Sequence, residues 1–250
     1  MDKHKFLPKA RLTNRQQEVV DLAQGKRTLH IGMGGFIDDD QFTQGYVNQD
    51  LIQTLHGRLS KSASQLTGID INPMTIQAFS QAVPGQYLVA DIMDPSLPRQ
   101  LSDRFDLILF LDVIEHLDDF KTALNNVTAL LAPGGQIVIS TCNTYCFDSF
   151  AKMWCNYEST HTEHTAYFSY LTLKRLFEMN GLTIRSFMYT IQDRCGYSSF
   201  FDWVSFTLNK IVCRIAPQFA PGLLMVVEPV ATGTAVELAS YGHHTESAAV

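Results

Sequence analysis

Four short apolar runs, each ending at an acid or a glycine turn, organise the first half of the chain. They are residues 29–31 before Gly32, 68–69 before Asp70, 88–90 before Asp91 and 107–111 before Asp112. Continuous apolar runs of this length are typical of parallel strands that are buried on both faces. Helical patterns separate the runs, and residues 136–141 form a fifth. The alternation predicts an α/β fold with a doubly wound, mostly parallel sheet.

The second half of the chain continues the pattern with one interruption. Ser169 begins a helical pattern that ends at Gly181, and residues 182–189 and 223–227 predict two more strands, which makes a seven-stranded sheet. Between these strands, residues 199–215 predict an apolar helical insertion. Residues 231–250 are rich in small and polar side chains and predict a disordered tail. We therefore expect a single domain over residues 1–230.

Composition and charge narrow the class of protein. The 250 residues are 46% hydrophobic and 18% charged, which is an ordinary globular balance. A net charge of −6 provides no basic footprint for duplex nucleic acid. The chain contains neither an N-terminal apolar signal region nor an apolar run long enough to span a membrane. Five cysteines at irregular spacing indicate reduced thiols, so we expect a cytoplasmic protein.

The groups at the strand ends predict the kind of ligand. The carboxyl ends of parallel strands meet at one edge of a sheet, where they would form a row of sites for an extended, hydroxyl-rich ligand such as a nucleoside cofactor. A dinucleotide site would need a third glycine at position 37 and an acid about twenty residues further on. Ile37 stands at that position, and Asp70 follows Gly32 by 38 residues. A nicotinamide-dependent oxidoreductase is therefore the weaker alternative.

The order and spacing of these motifs over residues 25–190 resemble the class I S-adenosylmethionine-dependent methyltransferases. The resemblance is strongest at residues 105–117, around the fourth strand, and at residues 130–135, before the fifth. It implies a Rossmann-like methyltransferase fold, with a cofactor half at about residues 25–142 and acceptor-side elements at about 143–220. It also implies S-adenosylmethionine as cofactor, bound by the glycine turn (Gly32, Met33, Gly34), by Asp70 at the ribose, by Asp91 with Ile92 at the adenine, and by Ile71 and Asp112.

The same resemblance implies methyl transfer to a small-molecule, glycan-like or lipid-linked acceptor, with oxygen as the expected atom. His116 follows Asp112 closely and is a candidate base for the acceptor's proton, although packing against the next helix is an equal alternative. His164 is the second candidate catalytic residue; His164 and Tyr167 are also candidate walls of the acceptor pocket, and Asn143 is a candidate acceptor contact. The breadth of the apolar insertion also fits a lipid-linked acceptor or a peripheral membrane contact.

Two other hypotheses concern metals and the absence of activity. Asp112, Glu115 and His116 resemble a cluster that meets a divalent ion in similar quinone-pathway enzymes, an alternative that we do not favour here. Cys146, Cys155, His161 and His164 lack the paired spacing of a zinc site, so we predict no metal.

His30 and Phe36 stand where the family usually has an acid and a third glycine. These departures keep open a non-catalytic methyltransferase-like binding module. The oligomeric state is not predicted.

Overall fold

The computed structural model describes residues 6–34, 51–191 and 200–230. Its strands are β1 (Leu12–Thr13), β2 (Arg27–Ile31), β3 (Gln65–Asp70), β4 (Gln86–Val89), β5 (Phe105–Leu111), β6 (Leu131–Cys142), β7 (Leu182–Thr190) and β8 (Gly222–Pro229). Its helices are α1 (Arg15–Ala23), α2 (Leu55–Ser62), α3 (Pro73–Ala82), α4 (Leu97–Gln100), α5 (Phe120–Ala129), α6 (Phe147–Met153), α7 (Tyr170–Met179) and α8 (Phe200–Ile215). Short 3₁₀ turns precede α2, follow β5 and follow α8.

All of these strands belong to one sheet, in the order β1-β7-β8-β6-β5-β2-β3-β4. The strands from β2 to β6 pair in parallel, whereas β8 runs antiparallel to both β6 and β7. The predicted doubly wound, mostly parallel sheet is confirmed. A two-residue strand, β1, adds an eighth member at the edge beside β7. Helix α8 lies in the chain between β7 and β8, where the apolar segment occurs.

Strand β5 shows how the sheet fixes the position of the site. Leu107, Leu109 and Leu111 pack into a cluster on one face, and Ile108 and Phe110 pack into the larger cluster on the other. Side chains alternate between the faces of a strand, so a strand covered on both faces must be apolar throughout. Burial on both faces holds this strand firmly, and its carboxyl end is correspondingly well placed.

Side-chain caps set where several helices begin. The side chain of Asn14 accepts the backbone N–H of Gln17 at the start of α1. Asn72 accepts from the amides of Met74 and Thr75 at the start of α3, where Pro73 supplies a preset φ. The cap at Asn72 lies two residues after Asp70, and it therefore fixes the path of the chain where β3 ends.

Several predictions fall outside the described residues: the tail at 231–250, Cys195, and the replacements at Phe36 and Ile37. The remaining four cysteines are free thiols. Among the helices of the described ranges, none combines the length and apolarity that crossing a bilayer requires.

Candidate active site

The carboxyl ends of the central strands open on a cavity of about 810 Å³. Every residue that the sequence predicted for the cofactor or for proton transfer lies in its lining: Gly32, Met33, Gly34, Asp70, Ile71, Asp91, Ile92, Asp112, His116 and His164. Distant segments of the chain contribute these residues. Such a gathering follows from the parallel sheet, which brings its strand ends to one edge.

The glycine turn is tightly packed against its surroundings. Gly32 has a φ of 66°, in the left-handed region, and a Cβ atom there would lie 2.5 Å from Cγ2 of Val113. A Cβ atom on Gly34 would collide with the side chain of Thr75. The side chain of Met33 is buried in a small core cluster with Leu51, Phe79 and Val83. The turn therefore offers mainly backbone to a ligand, at close approach.

Gly32→Ala is expected to disturb this turn beyond the ordinary cost of a left-handed alanine, which is about 1–2 kcal/mol. Gly25→Ala is the matched control, because Gly25 has a φ of 70° but a Cβ atom added there would meet nothing within 4 Å. Urea unfolding should show a larger loss of stability for Gly32→Ala, and calorimetry a loss of nucleoside binding confined to that variant. Equal effects would mean that contact with Val113 does not constrain the turn.

Backbone amides fix the position of the Asp70 carboxylate at the cavity. Its Oδ2 accepts the Gly34 amide at 3.1 Å, and its Oδ1 accepts the Asn72 amide at 2.9 Å. The residue is buried, which raises the pKa of the carboxyl, and these backbone donors partly oppose the shift. Each carboxylate oxygen has two lone pairs. The Ile71 amide also favours the charged carboxyl, and the acceptor sites that these donors leave are open to hydroxyls in the cavity.

A second acid and two isoleucines continue the lining. Asp91 is exposed, and its Oδ1 accepts the Met93 amide at 2.8 Å. Ile92 is buried beside it, whereas Ile71 leaves 70% of its surface uncovered. Two carboxylates and an exposed apolar side chain can bind a ligand that carries polar hydrogens at its edge and has a flat apolar face.

Asp112 has a strained backbone and a partner far away in the sequence. Its φ is 52°, a left-handed value that is uncommon outside glycine. Its carboxylate accepts the Ser140 hydroxyl at 2.7 Å and forms an ion pair with Arg15 of α1. Sequence reasoning missed Arg15. The one available signal was a cation in the first turn of a helix, where the helix dipole disfavours it.

A smaller cavity of about 400 Å³ meets the larger one at Arg15, Asp112 and Cys142. Much of its lining is polar and comes from β6, α6, α8 and the loop before α7; it includes Asn143, Lys152, Ser159, Tyr167, Thr190 and Asn209. Tyr167 lines this cavity, whereas His164 lines only the larger one. The amide of Asn143 donates to the carbonyls of Gln218 and Ala220. Its NH₂ group thus holds the chain before β8.

Three histidine rings meet beside the larger cavity. The centroid of His164 lies 4.6 Å from that of His116 and 5.4 Å from that of His161. Nδ1 of His116 lies 3.2 Å from the carbonyl oxygen of Glu163. A carbonyl only accepts, so Nδ1 of His116 carries the hydrogen and, in the neutral ring, Nε2 carries the lone pair. Burial lowers the pKa of both His116 and His164, which favours the neutral rings.

His30, which stands where the resemblance implies an acid, belongs to a buried chain of hydrogen bonds behind the glycine turn. Its Nδ1 lies 3.1 Å from Nδ1 of His56, whose Nε2 lies 3.2 Å from the hydroxyl of Tyr87. That hydroxyl donates to the Val83 carbonyl at 2.9 Å. Because the tyrosine hydrogen is used there, His56 donates through Nε2 and His30 donates to Nδ1 of His56. Both rings are therefore neutral in this arrangement.

Comparison with known proteins identifies the family of this chain. A family model described as a methyltransferase domain matches residues 11–186. Nodulation protein S of Rhizobium fredii is 30% identical over 117 residues, which cover 43% of this chain and 61% of that protein. A ubiquinone biosynthesis O-methyltransferase of Coxiella burnetii is 26% identical over 122 residues, which cover 48% and 45% of the two chains. The chain thus spans only about half the length of these curated relatives.

Among solved structures, the fold is similar to the N-methyltransferase NodS of Bradyrhizobium japonicum WM9 in complex with S-adenosyl-L-homocysteine. The TM-score is 0.50 at 18% identity, over 86% of this chain and 85% of that one. This likeness concerns the fold.

Proposed function

Because the chain belongs to the methyltransferase domain family, whose model matches residues 11–186, we propose that it transfers a methyl group from S-adenosylmethionine to an acceptor oxygen. The acceptor is a hydroxyl-rich small molecule, glycan-like or carried on a lipid. One observation carries the proposal: a single cavity combines a close-approach glycine turn, two strand-end carboxylates and an exposed isoleucine.

The cofactor residues follow from their chemistry. Asp70 accepts the two ribose hydroxyls with the lone pairs that its backbone donors leave available. Asp91 accepts from the exocyclic amine of adenine, with Ile71 and Ile92 on the ring. The backbone around Gly32 meets the methionine end. When bound, S-adenosylmethionine supplies a methyl group activated by a positively charged sulfur.

The acceptor end follows from the smaller cavity, which borders the larger one at Asp112. Its hydroxyl and amide groups suit an acceptor with several hydroxyls. The Lys152 ammonium there is paired, because it lies 2.6 Å from Asp148 and 3.1 Å from Ser159. We propose His116, which lines the larger cavity, as the base for an acceptor that reaches across this boundary, since its Nε2 carries the lone pair. A dry, aligned contact between acceptor and donor is the remaining requirement.

The first test is calorimetric titration with S-adenosylhomocysteine and, separately, NADH. Micromolar binding of S-adenosylhomocysteine, about −8 kcal/mol, is expected, with no binding of NADH. The reverse result would favour an oxidoreductase. Binding followed by failure of a labelled-methyl screen over sugars, phenols and lipid-linked glycans would favour a non-catalytic module.

His116→Gln tests the base. With an acceptor from the screen, we expect kcat to fall about a hundredfold, which is the lower range for loss of a general base. The affinity for S-adenosylhomocysteine should stay within about twofold, because the predicted adenosine contacts lie elsewhere in the cavity. A variant that keeps its kcat would assign the imidazole to packing against the neighbouring histidines.

A further inference from the structure

Three residues with metal-binding side chains come together where the two cavities meet, and no proposed role above uses them as a group. Glu115 lies in the 3₁₀ turn after β5, Cys142 ends β6, and His164 lies in the loop before α7. One potential ligand atom from each lies within 4.8 Å of the other two. All three line the larger cavity, and Cys142 also lines the smaller one.

Two of these residues have buried polar atoms without a hydrogen bond. Glu115 is 1% exposed, and among the described residues neither of its carboxylate oxygens has a hydrogen-bond partner. Nδ1 of His164 is also buried and has no hydrogen-bond partner among these residues. The Thr141 hydroxyl and the Cys142 amide are near enough to affect the Glu115 carboxyl, without the geometry of a hydrogen bond. Such groups are costly to bury unless something binds them.

The backbone holds this arrangement together. The Glu115 carbonyl accepts the amide of Thr165 at 2.8 Å and the amide of Ala166 at 3.2 Å. The Thr165 hydroxyl donates to the Leu117 carbonyl at 2.6 Å. The loop that carries His164 is therefore fixed to the turn that carries Glu115. A buried cation nearby, Arg15, is paired with Asp112 and with the Ser140 hydroxyl.

We propose that Glu115, Cys142 and His164 bind a divalent transition-metal ion of the zinc type. One carboxylate oxygen, one thiolate sulfur and one imidazole nitrogen are the donors that such an ion takes. Side chains at these separations need only small rotamer changes to reach bond lengths of about 2.0–2.3 Å. Three protein ligands leave a fourth position open, as in metal sites that take part in a reaction.

The ligand set differs from both sets that the sequence suggested. Asp112 forms an ion pair with Arg15, and Cys155 is exposed on the protein surface outside the cluster. Under this proposal His164 is a ligand, and the proton of the acceptor passes to His116. The proposal does not depend on methyl transfer, because its readout is the metal itself.

The test is titration of chelator-treated protein with Co²⁺. We expect one equivalent to bind, with a thiolate-to-cobalt charge-transfer band in the near ultraviolet. Cys142→Ser should abolish the band and weaken binding at least about tenfold. The matched control, Cys155→Ser, should keep both. Glu115→Gln and His164→Ala should each weaken binding to a similar extent.

Absence of binding by the intact protein would overturn the proposal. So would a band that persists in Cys142→Ser, because the thiolate ligand would then be another cysteine. Zn²⁺ gives a second measurement that needs no variant: it should raise the melting temperature of the intact protein. An unchanged melting temperature would contradict binding to the folded state.

Discussion

Asp70→Ala is expected to weaken the binding of S-adenosylhomocysteine about a hundredfold or more. The substitution removes both acceptors for the ribose hydroxyls, and hydrogen bonds to a charged group contribute about 1.5–3 kcal/mol each. It also leaves the Gly34 and Asn72 amides without this acceptor, which loosens the glycine turn at the same time. Calorimetric titration measures the change directly.

Two further variants make the result specific. Asp70→Asn keeps the shape and one acceptor, so its affinity should lie between those of the intact protein and the alanine variant. Asp106→Ala removes a carboxylate from the opposite end of β5, where it pairs with Arg27 outside the cavity. Its affinity should be unchanged. If Asp70→Ala binds as well as Asp106→Ala, the cavity is not the adenosine site.

The second large effect is a loss of stability in mild acid, caused by His30 and His56. Burial lowers the pKa of His56 to about 3, and burial together with the His56 ring holds the pKa of His30 well below its usual value. In the unfolded chain both titrate near pH 6.5. Below that pH the unfolded chain therefore binds protons that the folded chain does not.

The sign of the effect follows from this difference in bound protons. The contribution of these two histidines to stability is constant above about pH 6.5 and falls as the pH decreases below that value, by about 1.4 kcal/mol per pH unit for each histidine. Protonation would also place two N–H donors against each other between the rings. Urea unfolding at about pH 7.5, 6.0 and 5.0 should show the slope.

The control for this slope is the double variant His30→Leu/His56→Met. Its absolute stability is not the readout, because repacking changes it at every pH. The free energy of unfolding of the variant should depend less on pH between about pH 5 and 7 than that of the intact protein. An identical slope would assign the acid sensitivity to other groups, such as the histidines near His116.

The sequence predicted the features that depend on neighbouring residues. Asp70 and Asp91 follow their strands as expected, and Asn72 with Pro73 begins α3, because apolar runs and helix caps are local patterns. Features that depend on distant contacts were not predictable. Asn143 lies at a strand end, as a ligand contact should, but its amide binds carbonyls more than seventy residues away.

Glu115 is the clearest failure of pattern reasoning. A helix continuing from Asp112 would carry Asp112, Glu115 and His116 on one face, because residues three and four apart are neighbours on a helix. The chain instead leaves β5 through a left-handed Asp112 and enters a 3₁₀ turn, which buries the Glu115 side chain. That path depends on tertiary packing, and the segment carries no glycine or proline to mark it. The two-residue strand β1 was likewise too short to have a period.

Arg15 gives the N-terminal segment a part in the binding region. The ion pair between Arg15 and Asp112 joins residues 97 positions apart, at the boundary of the two cavities. Proteolytic trimming through residue 15 would remove the cation and leave the sheet's central strands untouched. Such trimming would also remove β1 and the Asn14 cap of α1, and the left-handed carboxylate at position 112 would lose the guanidinium with which it pairs. Cleavage in the N-terminal segment would therefore alter the boundary of the two cavities without cutting a central strand.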